Sequence, residues 1–337
     1  MKILLQTYNT FAQNPGGGVQ TRITNLYNEY KRQGHIVDLF DKWTTKIDEY
    51  DLIHFFKVTV DNYGLMVYAK SKGLKIVVSS VIPLAQSFRI RFHLLLNRIF
   101  PLHTIFDIQK RCLDLSDIII AQSNTECEFI RRNYNIPPHK LTALPNGVAT
   151  QLTECQDVDV DLPFQGDFVL QVGRVDSNKN QLNTIKALKG TGIPLVIVGG
   201  ADPQEPAYME KCKEVADDMV YFTGWIPISD PRLKSLYKSA KVLVLPSKKE
   251  IYGNVIVEGG ISGCNLACSN VIPITDWNIG QYIRTFNPDS IEDIREKLIA
   301  AFKAPLIDGQ SEEFRTFFSW ERVAKEHIEI YKKLIYG

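Results

Sequence analysis

Two carboxylates, Glu250 and Glu258, stand eight positions apart in the stretch SKKEIYGNVIVEGGISG, residues 247–263. The apolar run Val242 to Pro246 (VLVLP) comes just before them and reads as a buried parallel strand. A short polar turn carries Glu250, and Gly253-Asn254 then opens a helical pattern through Ile261, with Glu258 about one turn in. Carboxylates so placed can accept hydrogen bonds from sugar hydroxyls. The helix start offers free N–H groups and a partial positive charge that suit phosphate. Taken alone, the stretch is equally compatible with a helix bearing solvated acids. A second group lies upstream. Val172-Gly173-Arg174 closes an apolar run, and Lys179 follows at the start of a helical pattern. An Arg fork and a Lys point charge can clamp two phosphates. A cation at a helix start is disfavoured by the dipole unless an anion is present. Gly199-Gly200 and Phe222-Thr223-Gly224-Trp225 end two further runs. Gly16-Gly17-Gly18 follows the first run, where glycine lets backbone approach an anion. It is neither a dinucleotide fingerprint nor a Walker loop.

These residues need strands to carry them. Lys2 to Thr7, Ile36 to Phe40, Asp51 to Phe56, Lys75 to Ser79, Asp117 to Gln122 and Leu141 to Leu144 read as strands alternating with helices. The helices include 19–33 and 62–71 and an amphipathic segment, 88–115, broken by Pro101. A second series follows, with strands at 168–172, 195–198, 220–223, 242–245 and 265–269 and helices at 179–188, 206–216 and 230–239. The pattern predicts α/β architecture with two doubly wound parallel sheets. An acidic, aperiodic stretch at 150–163 reads as a linker between an N-terminal domain (1–149) and a C-terminal domain (164–319). The tail 320–337 reads as one helix capped by Ser319, with Arg322 where a capping-box Glu would sit.

Composition bounds the rest. The 337 residues suffice for two cores, and a net charge of +1 argues against a nucleic-acid binder. Residues 1–150 hold 18 Lys and Arg against 12 Asp and Glu, a net +6; the remainder holds 21 against 26, a net −5. Six cysteines form no disulfide framework. MKILLQTY reads as a first strand, not a signal peptide, and no apolar run is long enough to span a bilayer. The expected location is the cytoplasm.

The ordered set of GGG, PNG, VGR with a following Lys, VGG, FTGW, and Ser-x-x-Glu-x-x-Gly with a Glu eight after the first resembles the retaining glycosyltransferases of family 4. The resemblance covers nearly the whole chain. It implies the GT-B fold, two facing Rossmann-like domains with a cleft between, the final helix crossing back to the N-terminal domain. It implies transfer of a sugar from a nucleotide-sugar donor, most simply a UDP-sugar, to a saccharide or lipid-linked saccharide acceptor, with retention. Neither a metal nor another cofactor is implied. By the resemblance Arg174 and Lys179 hold the donor diphosphate, Glu258 the ribose and Glu250 the donor sugar. Gly16, Gly17, Gly18, Gly199, Gly200, Tyr252, Gly253 and Asn254 complete the donor-binding set. The chain departs from the family pattern in three places: Ser79 or Ser80 stands where the family has a His, Ile251 where it has Pro, and Gly259-Gly260 where it has helix formers. Glycine in a helix costs ~1 kcal/mol against alanine. The competing readings are a catalytically degenerate sugar-nucleotide-binding protein and a nucleotide-sugar epimerase.

Residues 88–111 hold Arg89, Arg91, Arg98, Lys110 and Arg111 against one Asp among interleaved apolar residues. They read as a core-facing helix pair with a basic outer face, as a surface for anionic lipid at the inner face of the membrane, or as a site for a charged saccharide.

Overall fold

The computed structural model describes residues 1–7, 18–84, 87–97, 99–100, 104–148 and 158–337. The chain divides into two compact units, Met1–Gly147 with Ser319–Gly337, and Val148–Phe318. In the first unit, β1 (Lys2–Gln6), α1 (Gly18–Arg32), β2 (Ile36–Leu39), β3 (Leu52–Phe56), α2 (Val60–Ser71), β4 (Lys75–Ser79), α3 (Ser87–Leu96), α4 (Ile105–Leu115), β5 (Ile118–Ala121), α5 (Asn124–Tyr134) and β6 (Leu141–Ala143) follow in order. The second unit runs β7 (Val169–Val172), α6 (Gln181–Leu188), β8 (Leu195–Val198), α7 (Pro206–Val215), β9 (Val220–Gly224), α8 (Pro231–Ser239), β10 (Val242–Leu245), α9 (Asn254–Ile261), β11 (Asn265–Ser269), β12 (Ile283–Phe286), α10 (Ile291–Lys303) and α11 (Gln310–Phe317). The last helix, α12 (Trp320–Tyr336), belongs to the first unit.

Each unit holds one six-stranded sheet, ordered β2-β1-β3-β4-β5-β6 in the first and β12-β11-β10-β7-β8-β9 in the second. Neighbouring strands are parallel throughout. The apolar runs are continuous because both sheet faces are covered. In the first unit Leu4, Ile53, Phe55, Ile76 and Val78 face one core. Ile3, Leu5, Leu52, Phe56 and Val77 face the other, shared with α1 and α12. The second sheet alternates likewise, Leu170, Val196, Leu243 and Leu266 on one side and Val169, Leu195, Val244 and Ala267 on the other.

Ser319 caps α12, its Oγ accepting from the Arg322 N–H at 3.2 Å. The helix docks through a buried polar chain: the Tyr331 hydroxyl lies 2.6 Å from His54 Nδ1 and 2.9 Å from the Tyr30 hydroxyl, and His54 Nε2 lies 2.9 Å from Ser79 Oγ. Gly147 of the PNG turn sits under Trp320, where an added Cβ would lie 2.4 Å from the indole.

Most strands match the expected boundaries to within one residue. No strand or helix is expected from the sequence over residues 270–318, and the structure places β12, α10 and α11 there. The edge strand β12 (IRTF) has no apolar run to announce it. Of the expected linker, 150–157 lies outside the described residues. Val160 and Leu162 pack against the second unit's core, and the Val158 N–H donates to Ser235 Oγ at 2.9 Å. Pro101 and Arg98 also lie outside the described residues; α3 and α4 flank that point. No helix among the described residues is long and apolar enough to cross a membrane.

Candidate functional site

In the second sheet the chain moves outward from β7 through β8 to β9 on one side and from β10 through β11 to β12 on the other. The strand order therefore reverses between β7 and β10, and the crevice beyond their carboxyl ends is where open α/β sheets bind ligands. The turn after β7 carries Arg174 and Lys179, and the turn after β10 carries Ser247 and Glu250. All four therefore lie on the two turns that flank the switch point.

The β7 turn is built from backbone contacts. Gln171 donates its amide to the Lys179 carbonyl, and Gln181 donates to the Arg174 carbonyl, each at 2.9 Å. Asp176 is 2% exposed and ties both ends of the turn. Its Oδ1 accepts the Lys179 N–H at 2.7 Å and its Oδ2 accepts Arg174 Nε at 2.8 Å. Asp202, after β8, adds a second carboxylate 3.0 Å from Arg174 Nε. Asp176, and then Asp202, hold the guanidinium above the ordinary arginine range, so it stays charged. With Nε anchored and the side chain 62% exposed, the guanidinium is held at its base and open at its tip.

The helix α6 begins at Gln181, with Asn180 in the left-handed conformation at its cap. Lys179 therefore precedes the helix and does not occupy its first turn, contrary to the expected start at 179. It also has a countercharge: Lys179 Nζ donates to Glu250 Oε1, which accepts from Ser247 Oγ at 2.9 Å as well. One backbone bond and one side-chain bond hold the β10 turn on the β7 turn. Lys248 N donates to the Asn178 carbonyl at 2.8 Å, and Asn178 Nδ2 to the Lys249 carbonyl at 3.1 Å.

Gly253 is the left-handed cap of α9, at φ 94°, and a Cβ there would lie 2.9 Å from Ile272. Tyr252 is buried beside it, and Asn254 is the first residue of α9. Gly259 and Gly260, anomalous as helix residues, are explained by packing. A Cβ on Gly259 would lie 2.3 Å from Leu243 of β10, and one on Gly260 would lie 2.1 Å from Phe314 of α11. The helix that carries Glu258 is thereby drawn tight to the sheet. Glu258 accepts a hydrogen bond from the buried Tyr237 hydroxyl. Burial raises the Glu258 pKa above the ordinary carboxylate value, and the Tyr237 bond opposes the shift. Burial and the Glu258 charge hold Tyr237 protonated.

Beside the switch point, Gly173, Arg174, Gly199, Gly200, Trp225 and Ile226 line a pocket of ≈ 480 Å³. Gly199 permits it, since a Cβ there would stand 2.0 Å from the Gly173 carbonyl oxygen. Trp225 offers an indole 73% exposed. The sequence presented Trp225 only as part of a turn, and it missed Asp176, Asp202 and Tyr237. An Asp three residues before Lys179 is a legible turn signal; Asp202 and Tyr237 come from other elements and carry no local sign.

In the first unit, Gly18 begins α1, whereas Gly16 and Gly17 lie outside the described residues. Ser79 and Ser80, at the family's His position, are both wholly buried. Ser79 pairs with His54, and Ser80 Oγ donates to the buried Glu126 at 2.7 Å. Glu126 also accepts from the Ile82 and Gln122 N–H groups. Neither serine presents a hydroxyl to solvent, because each is bonded into the unit's own polar network. Among the described residues no cluster of three or more His, Cys, Asp or Glu could hold a metal.

Residues 158–315 match the family model described as Glycosyl transferases group 1. An uncharacterized glycosyltransferase of Methanocaldococcus jannaschii, MJ1607, is 26% identical over 240 residues, 64% of this chain and 59% of its own length. The chain thus spans under two thirds of that relative. The solved sucrose-phosphate synthase of Thermosynechococcus elongatus is 19% identical and superposes with TM-score 0.75 over 99% of this chain and 98% of its own. Anabaena Alr3699/HepE, solved in complex with UDP and glucose, is 15% identical, with TM-score 0.68 over 99% of this chain and 100% of its own. The chain therefore has the GT-B fold, and most of its second unit is similar to the glycosyltransferase domain described as group 1.

Proposed function

We propose that the protein transfers a sugar, with retention of anomeric configuration, from a nucleotide-sugar donor to a saccharide or lipid-linked saccharide. The observation that carries this reading is the Lys179–Glu250 pair at the switch point of the second sheet, with Arg174 tied to the same β7 turn through Asp176. The open guanidinium of Arg174 and the Lys179 ammonium meet the donor diphosphate, where charge develops as the sugar leaves. Glu250 addresses the sugar and Glu258 the ribose. The pocket beside Trp225 takes the base, the indole supplying a stacking face. In the reaction the acceptor oxygen bonds to the anomeric carbon as the bond to the diphosphate oxygen breaks. The acceptor proton passes to a donor phosphate oxygen, so no enzymic nucleophile is named. A UDP-sugar is the favoured donor, supported by the UDP and glucose of the HepE complex. Divalent metal is dispensable in this scheme, because Arg174, Lys179 and backbone dipoles meet the phosphate charge.

Thermal shift against UDP, GDP and ADP tests the donor class, since a ligand of the native state raises stability by mass action. UDP should give the largest shift, and UDP-sugar should release UDP slowly in EDTA. Tight binding without any turnover would favour the degenerate binding protein. Recovery of an epimerised UDP-sugar would favour the epimerase.

A further inference from the structure

Helix α3 is apolar on two opposite faces. Ile90 is buried in the first unit's core, and Leu94 packs against that core. Phe88, Phe92 and Leu95 are exposed. At 100° per residue these three fall within about 60° of arc, roughly opposite Ile90. The Phe88 and Phe92 rings stack in solvent with centroids 6.1 Å apart. Beyond the helix end, Ile99 and Phe100 extend the patch at 70% and 62% exposure. An aqueous helix normally buries one stripe only, and a second one marks an interaction surface.

The charge around the stripe identifies what covers it. Arg89 falls on one flank and Arg91 on the other, and α3 contains no acidic residue. Asn133 Oδ1 accepts from Arg91 Nε at 3.2 Å, which holds that guanidinium at the stripe's edge. A pocket of ≈ 540 Å³ opens alongside, with Arg91, Leu95 and Lys110 in its lining together with one acid, Asp107. A second copy seated on this face would set arginines against arginines. An apolar band between cationic flanks instead matches a headgroup boundary with anionic lipid.

We propose that α3 seats the first unit on an anionic phospholipid surface. Phe88, Phe92 and Leu95 enter the acyl boundary, and Arg89 and Arg91 meet headgroup phosphates. The inference goes beyond the proposed transferase activity and does not depend on it.

The test is co-sedimentation of the full chain with vesicles of phosphatidylglycerol and phosphatidylcholine, or of phosphatidylcholine alone, at low and high salt. Wild type should pellet with the anionic vesicles at low salt and be released by high salt. Arg89→Gln/Arg91→Gln should lower partitioning about 30-fold, which is ~2 kcal/mol at ~1 kcal/mol per arginine. Phe88→Ser/Phe92→Ser/Leu95→Ser should lower it by at least about a hundredfold. These side chains are exposed, so both variants should melt as wild type does, and circular dichroism checks this. Wild type left in the supernatant, equal pelleting with neutral vesicles, or variants that pellet like wild type would each overturn the proposal. So would self-association in solution that the Phe88→Ser/Phe92→Ser/Leu95→Ser change abolishes, in the absence of vesicle binding. None of these readouts involves activity, so failure here leaves the transferase reading untouched.

Discussion

Lys179 and Glu250, 71 residues apart, form one ion pair at the second unit's switch point, backed by Ser247. The residues proposed to meet the phosphate and the sugar are therefore not independent. The carboxylate holds the ammonium in place before any donor arrives, and a diphosphate entering the site would share that ammonium with Glu250. Arg174 is arranged the same way, its Nε on Asp176 and Asp202. Both cations are therefore held on carboxylates before any ligand is present.

Removal of either cation should weaken the diphosphate contact far more than the nucleoside contact. Arg174→Ala and Lys179→Ala should each weaken UDP binding by about tenfold to a hundredfold, from ~1.5–3 kcal/mol for a charge-assisted bond. Uridine affinity, read by titration calorimetry, should change much less than UDP affinity. An equal loss for uridine and UDP would remove both residues from the diphosphate site.

The two carboxylates should separate kinetically. Glu250→Gln should lower kcat with little change in donor KM, whereas Glu258→Gln should weaken uridine binding. The Glu258 pKa is raised by burial, so its charge is lost at a higher pH than an ordinary carboxylate's as the solution is acidified. Uridine affinity in wild type should accordingly fall on acidification, beginning above the usual carboxylate range, and Glu258→Gln should flatten that profile. A Glu258→Gln variant with the wild-type pH profile would sink the assignment.

At most exposed helix positions Gly→Ala stabilises by ~1 kcal/mol. At Gly259 and Gly260 the sign should reverse, because the new methyl meets Leu243 or Phe314. Overpacking of this kind costs ~1–3 kcal/mol. Urea unfolding of Gly259→Ala and Gly260→Ala reads the difference directly, and a stabilised variant would refute the close approach.

Acid should loosen the first unit through His327. Its side chain is buried on α12, and burial followed by the Arg22 charge lowers its pKa to about 3. Burial lowers His54 as well. An unfolded histidine titrates near 6.5. Between that value and the folded one, unfolding takes up protons. Stability therefore falls as pH drops below about 6.5, by roughly 1 kcal/mol per pH unit for each such histidine. His327→Leu should show a shallower fall between pH 6.5 and 4.5 in urea titrations. An unchanged slope would mean that other groups carry the acid response.

The sequence alone determined the two parallel sheets, because a strand buried on both faces must be apolar at consecutive positions, and that signal is local. It also singled out Glu250, Glu258, Arg174 and Lys179 as chemically capable, since each lies where an apolar run gives way to a turn or helix start. Only the tertiary structure decided that Lys179 pairs with Glu250, that Asp202 reaches Arg174 from another strand end, and that Tyr237 sits on Glu258. These partners lie 21 to 71 residues apart and meet only because sheet order sets strand neighbours independently of chain order. The structure likewise resolved Gly259-Gly260 from a helix defect into a packing requirement, and showed Ser79 and Ser80, at the family's His position, to be buried polar groups. A residue's type is written in the chain, but what its next atom touches is set by distant elements.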